Sequence, residues 1–110
     1  MSKSNTFEND LLLLIFNNTD ITLIGDAAGL QNSAAAGSLY VSLHTSDPGE
    51  AGDQTTNETA YTNYVRVAVA RSGAGWTVTG NAVANAALVQ FAQCGVTGAT
   101  LTHFGVGTDS

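Results

Sequence analysis

Leu39-Tyr40-Val41-Ser42-Leu43-His44-Thr45 alternates so that Leu39, Val41 and Leu43 share one face, the pattern of a half-buried strand. Asp47-Pro48-Gly49 then turns the chain, and a polar loop runs to about Thr59. Alternation resumes from Tyr64 to Arg71, with Val65, Val67 and Val69 on one side and Tyr64, Arg66 and Ala68 on the other. Ser72-Gly73-Ala74-Gly75 has the composition of a hairpin turn, and Trp76-Thr77-Val78-Thr79 that of the returning strand. Gly80-Asn81 turns the chain once more. Ala86 to Phe91 and Ala99 to Val106 read as further strands, separated by the glycine-containing segment 93–98. Short strands at close spacing with glycine-rich turns predict a mainly β chain, a β-sandwich or barrel over residues 39–110, and of the two an antiparallel, jelly-roll-like β-sandwich is the expected fold. No fixed-period repeat runs through it. Thr102-His103-Phe104-Gly105-Val106-Gly107 reads as a mid-sheet strand close to the last residue. A sandwich stopping there exposes an edge strand, so either a neighbour pairs with that edge or the sandwich is incomplete at its carboxyl end.

Ahead of the strands, residues 5–17 read as a short helix. Asn5 is the expected N-cap, with Glu8 three residues on, close to a capping box, and Glu8 and Asp10 suit the positive end of the helix dipole. Phe7, Leu11, Leu14 and Ile15 recur at helical spacing, and Leu12, Leu13 and Phe16 widen that face until the second turn is apolar nearly all round. Such a helix is unstable alone and must pack, either on its own domain's sheet or on a neighbouring subunit. Phe7, Leu11, Leu12, Leu13, Ile15 and Phe16 are therefore the candidate partner-binding residues. Ile21 to Leu30 reads as a further helical turn broken by Gly25 and Gly29, and Gln31 to Ser38 as a flexible connector. Residues 1–38 thus form an expected anchoring arm before the β domain of residues 39–110.

The chain of 110 residues has room for one domain. Only 11% of its residues are charged, against about 25% in an average domain. Three basic residues against nine acidic ones give a net charge of −6. That balance excludes binding to nucleic acid phosphates and to anionic lipid heads. Lys3 precedes the apolar run Leu11–Phe16, but Glu8 and Asp10 stand directly before the run and Asn17-Asn18-Thr19-Asp20 after it. This is neither a secretory signal nor a membrane span. The single Cys94 forms no intrachain disulfide and reads as an inert small residue.

Candidate chemistry is thin. Asp47, Glu50, Asp53 and Glu58 lie close together without a basic residue between them, and carboxylates so spaced could surround Ca²⁺, yet the alternating Asp/Asn pattern of a calcium loop is missing. His44, His103 and Cys94 are conceivable zinc ligands if their strands adjoin, but their spacing reads as structural. No Gly-x-Ser-x-Gly elbow or Gly-Lys-Ser/Thr phosphate loop occurs. Nor do paired carboxylates stand on rigid elements as in glycosidases. Tyr40, Tyr61, Tyr64 and Trp76 serve either as packing or as a sugar-stacking platform. These readings imply no enzyme, no cofactor and no metal.

The strand Leu39–Thr45 followed by Asp47-Pro48-Gly49 resembles the opening strand of small tailed-phage virion proteins. Tyr61 with Tyr64-Val65-Arg66-Val67, then Trp76, then Thr102-His103-Phe104-Gly105-Val106-Gly107 extend the resemblance in order and spacing, as does the leading helix from Phe7-Glu8-Asn9-Asp10-Leu11. Such proteins are often labelled tail fibre proteins, with capsid decoration as a competing assignment. The resemblance implies an antiparallel β-sandwich, a structural role in the virion and no catalysis. Family members continue for a few strands past the position of Gly105-Val106-Gly107. Lacking a repeat or coiled coil for outward reach, the chain is expected to be a capsid-surface decoration or cement subunit, docked through its helix and strand edges. The alternative is a tail fibre or tail-tip module that binds a host receptor or glycan. Expected partners are major capsid or tail proteins and further copies of itself, with a trimer favoured.

Overall fold

The structure, a computed structural model, describes residues 3–22, 24–96 and 98–110. Its elements in chain order are α1 (Asn5–Asn17), β1 (Ser38–His44), β2 (Val67–Ala70), β3 (Trp76–Thr79), β4 (Ala82–Asn85) and β5 (His103–Gly107). The chain is mainly β, with one short leading helix and antiparallel pairing. It gathers into two compact units that interleave in sequence, one from Met1–Ser38 with Ala70–Leu88, the other from Leu39–Val69 with Val89–Ser110.

In the first unit, α1 packs on the hairpin of β3 and β4. The hairpin pairs Trp76 with Asn85 through Thr79 with Ala82, closed by the two-residue turn Gly80-Asn81. Gly80 has φ +60°, which a short hairpin turn demands and glycine adopts without strain. Ser4, not Asn5, caps the helix: its side chain accepts from the Phe7 N–H at 3.2 Å. A serine one residue earlier is an equally good acceptor, so the helix simply starts at Asn5. Asn18 ends it in the left-handed conformation, its N–H donating to the Leu13 carbonyl. Phe16 meets the buried Trp76 edge to face, with ring centroids 5.0 Å apart.

Residues 21–30 do not form the expected helical turn. Ile21 and Leu30 instead exchange backbone hydrogen bonds of 3.0 and 2.8 Å, closing a loop in which Leu23 lies outside the described residues. Gly29 stands at φ +71° against the Ile21 carbonyl, where a Cβ would collide with backbone. Asn18 and Asp20 then tie down the start of the expected connector. Asn18 Oδ1 accepts from the Ser33 N–H at 2.9 Å, and Asp20 Oδ1 from the Asn32 N–H at 2.6 Å.

The second unit holds most of a three-stranded sheet in the order β2-β1-β5. The β1–β5 register runs from Tyr40 opposite Gly107 to His44 opposite His103. Leu39 and Val41 are buried and Leu43 half-buried, as the alternation predicts, but Ser42 and His44 on the opposite face are buried too. The polar loop after β1 covers that second face.

Three strand expectations are corrected. Tyr64–Arg71 contracts to β2, which lies beside β1 rather than pairing with Trp76–Thr79. Ala86–Phe91 is irregular, and the partner of β3 is the immediately following Ala82–Asn85, which a two-residue turn reaches with the least loop entropy. Ala99–Val106 shortens to β5; Thr97, in the preceding segment 93–98, lies outside the described residues.

Candidate functional site

Ser42 and His44 stand two residues apart on β1 and so share a face. Their side chains are joined by a 2.9 Å bond between Ser42 Oγ and His44 Nε2, while His44 Nδ1 lies 2.9 Å from the Thr56 carbonyl oxygen. A carbonyl only accepts, so Nδ1 carries the proton and Nε2 accepts from the serine hydroxyl. The connectivity is that of a nucleophile, its base and an orienting acceptor. At 0% and 1% exposure, however, neither residue is open to a substrate. The set is a buried, satisfied polar core that fastens the loop to the sheet. Gly105 on β5 makes room for it: a Cβ there would lie 2.8 Å from Ser42 Oγ and 2.9 Å from His44 Nε2.

Beside it, Arg66 grips Glu58 with two parallel hydrogen bonds, Nε to Oε1 and Nη2 to Oε2, each 2.8 Å. Tyr64 donates its hydroxyl to Glu58 Oε1 at 2.7 Å and accepts from the Leu43 N–H at 3.1 Å. Arg66 also donates to the Asp109 carbonyl at 2.9 Å, fastening the tail after β5. The Arg66 bonds hold the Glu58 carboxyl below its ordinary value of 4.5 against the opposing effect of burial. Burial, helped by the carboxylate it donates to, pushes the Tyr64 hydroxyl up to about 12.

Arg71 does the corresponding work in the first unit. Its guanidinium donates to the carbonyls of Ile15 (2.6 Å), Leu14 (2.7 Å) and Ala36 (2.9 Å). Two of these belong to the last turn of α1, whose carbonyls have no partner within the helix and form its negative end. Both arginines are thus cross-braces. Scarcity was the available signal: Arg66 and Arg71 are two of the three basic residues in the chain. Which acceptor each takes was not readable.

The acidic loop does not converge on an ion position. Asp47 Oδ1 accepts from the Gly49 N–H, and Asp53 Oδ1 from the Thr55 N–H and the Thr55 and Thr56 hydroxyls. The Asp53 carboxyl is held below its ordinary value, chiefly by the Thr55 hydroxyl. Glu58 is turned inward to Arg66. His44 and His103 do sit opposite each other, but His103 Nδ1 contacts the Thr102 hydroxyl at 2.8 Å, and Cys94 is half-buried. Among the described residues no three His, Cys, Asp or Glu side chains gather for a metal.

Of the candidate partner-binding residues, Leu11, Leu12, Leu13 and Phe16 are half-buried, and Phe7 and Ile15 are exposed. Tyr61, Tyr64 and Phe91 pack on one another, with centroids 5.3 Å and 6.1 Å apart, and Tyr61 donates to the Ala92 carbonyl. Their faces are spent on mutual packing rather than laid out as a platform. No described helix is long and apolar enough to cross a membrane.

The family model of the podophage GP4 fiber I protein gp80 matches residues 2–110. The chain belongs to that family. Membership makes it a phage fibre-type structural protein. No curated protein and no solved structure matches the chain.

Proposed function

We propose that the chain is a non-enzymatic subunit of a tail fibre and not a capsid-surface decoration or cement subunit. The observation that carries this reading is the match to a fibre I protein over residues 2–110. The geometry is in keeping with it. The Ser42–His44 pair, which has catalytic connectivity, is sealed, and the loop carboxylates are occupied with turns and with Arg66. The outward side of α1, marked by Phe7 and Ile15, is the face this subunit offers to another tail protein.

Copy number in purified virions, measured by quantitative mass spectrometry against the major capsid protein, tests the assignment. A fibre subunit is expected at a small percentage of the capsid protein. A ratio near one, or a simple fraction of it, would overturn the tail location. Charged substitutions Phe7→Asp and Ile15→Asp, which leave the Phe16–Trp76 packing untouched, are expected to reduce incorporation into particles. Full incorporation of both variants would remove the docking role from the helix.

A further inference from the structure

We infer that the loop 46–58 is a strap latched by the Glu58–Arg66 pair, and that a proton on Glu58 releases the strap together with the tail after β5, uncovering Ser42 and His44. Gln54, Thr56 and Glu58 are half-buried and alternate with the exposed Asp53, Thr55 and Asn57. Each inward residue ties the strap to the sheet or to the tail. Gln54 Nε2 donates to the Tyr40 carbonyl at 3.1 Å, and Gln54 Oε1 accepts from the Asp109 N–H at 3.0 Å. The Thr56 carbonyl accepts from His44 Nδ1, and the Glu58 carboxylate holds Arg66. At the two ends, the Thr45 N–H donates to the Asn57 carbonyl and the Thr59 N–H to the Leu43 carbonyl, both at 2.9 Å.

Composition makes the strap separable from the rest of its unit. Between Ser46 and Glu58 the only apolar side chains are those of Pro48 and Ala51. Hydrogen bonds and one ion pair therefore hold it, whereas the other face of β1 is held by the buried Leu39 and Val41. A segment that buries little apolar surface opens at lower free energy than the core beneath it.

Glu58 is the point where strap and tail are joined. Arg66 Nη1 reaches on to the Asp109 carbonyl at 2.9 Å and stands 3.4 Å from the Asp109 carboxylate, while Gln54 holds the same residue from the strap. The titratable and charged groups facing Glu58 are Arg66 and Tyr64 from the segment before β2, His44 across the bridge on β1, and Asp109 of the tail through Arg66. On the strap itself, the Asp53 carboxylate is spent on Thr55 and Thr56. Both Glu58 oxygens accept from Arg66. A proton on one of them turns an acceptor into a donor and leaves the shielded guanidinium facing a neutral acid. The Arg66 bonds keep the Glu58 carboxyl below its ordinary value of 4.5, so the latch is closed at neutral pH and opens as pH falls through the folded value. The inference concerns this unit alone and holds whether or not the chain is placed in a fibre.

Amide hydrogen exchange of the full chain, read residue by residue by NMR, tests it. In Glu58→Gln at neutral pH, the Thr45, Thr59 and Asp109 amides are expected to lose protection together by about 100-fold, the factor that breaking a shielded ion pair implies. The parent should show the same joint loss below about pH 4, which keeps the test open if the variant fails to fold. The Ile21 and Leu30 amides, bonded to each other's carbonyls, should keep their protection in both. Diethyl pyrocarbonate supplies a second readout at neutral pH. The buried His44 should react faster in Glu58→Gln than in the parent, with the exposed His103 equal in both. Unchanged protection and His44 reactivity in the variant would overturn the inference. So would loosening of the strap without the tail, simultaneous loss at Ile21 and Leu30, or an acid response as large in Glu58→Gln as in the parent.

Discussion

Arg66 and Glu58 face each other through two parallel hydrogen bonds of 2.8 Å, with side chains only 10% and 15% exposed. A shielded, bidentate pair behaves unlike a surface salt bridge, because removing one member strands the other away from water. Arg66→Met or Glu58→Leu alone is expected to lower unfolding free energy by about 3 kcal/mol. The double substitution should cost much less than the sum of the two. A double-mutant cycle in urea checks this, and additivity would show that the pair is not coupled.

The same pair sets the acid limit. The folded Glu58 carboxyl lies below its ordinary value, so the unfolded chain takes up the proton first. Its contribution is complete above the unfolded value and disappears as pH falls through the folded one. Urea midpoints should hold steady above about pH 5 and decline below it, with Glu58→Gln lower above that range, flatter in acid and converging on the parent at the acid end. Tyr64 has the opposite sign. Its hydroxyl is raised from 10.0 to about 12 in the fold, so stability should fall as pH rises from 10 toward 12. Tyr64→Phe should lack that alkaline component, and an unchanged alkaline slope would exclude Tyr64 as its source.

Gly105 separates close packing from chain flexibility. Its missing Cβ would press on Ser42 Oγ and His44 Nε2, both on buried side chains with no room to retreat. Gly105→Ala is expected to cost about 1–3 kcal/mol by overpacking. Gly98, with nothing within 4 Å of the corresponding Cβ position, provides the control. Gly98→Ala should stay within about 0.5 kcal/mol of the parent. Equal effects in thermal unfolding would mean that the Ser42–His44 face is looser than its geometry indicates.

Arg71 holds the end of α1 from a distant part of the sequence. Arg71→Ala should cost about 2 kcal/mol or more by freeing three carbonyls from a charged donor. Hydrogen exchange should speed up in the last turn of the helix before the rest of the chain. Arg71→Lys should recover only part of the loss, since an ammonium cannot span acceptors placed for a planar fork. Full recovery by lysine would reduce the interaction to simple charge.

How much of this was legible in advance depended on the range over which each feature is set. The helix at Asn5–Asn17, the strand at Ser38–His44, the strand beginning at Trp76 and the Gly80-Asn81 turn follow from residues within a few positions of one another. Side-chain spacing and turn chemistry act at that range. The edge at His103–Gly107 was visible in the same way, as an apolar alternation free of charge.

Partnership was decided only in the fold. Val67–Ala70 lies beside β1 instead of the nearby Trp76–Thr79, whose partner is the following Ala82–Asn85. Ser42 and His44, placed by alternation on an outer face, became buried once the acidic loop folded over them and Thr56 supplied an acceptor. Arg71 reaches carbonyls 56 and 57 residues away, and Glu58 leaves its neighbouring carboxylates for Arg66. Local pattern tells each residue which way to face. Which surface it meets depends on where the whole chain can satisfy buried donors and acceptors, and that is a property of the tertiary structure alone.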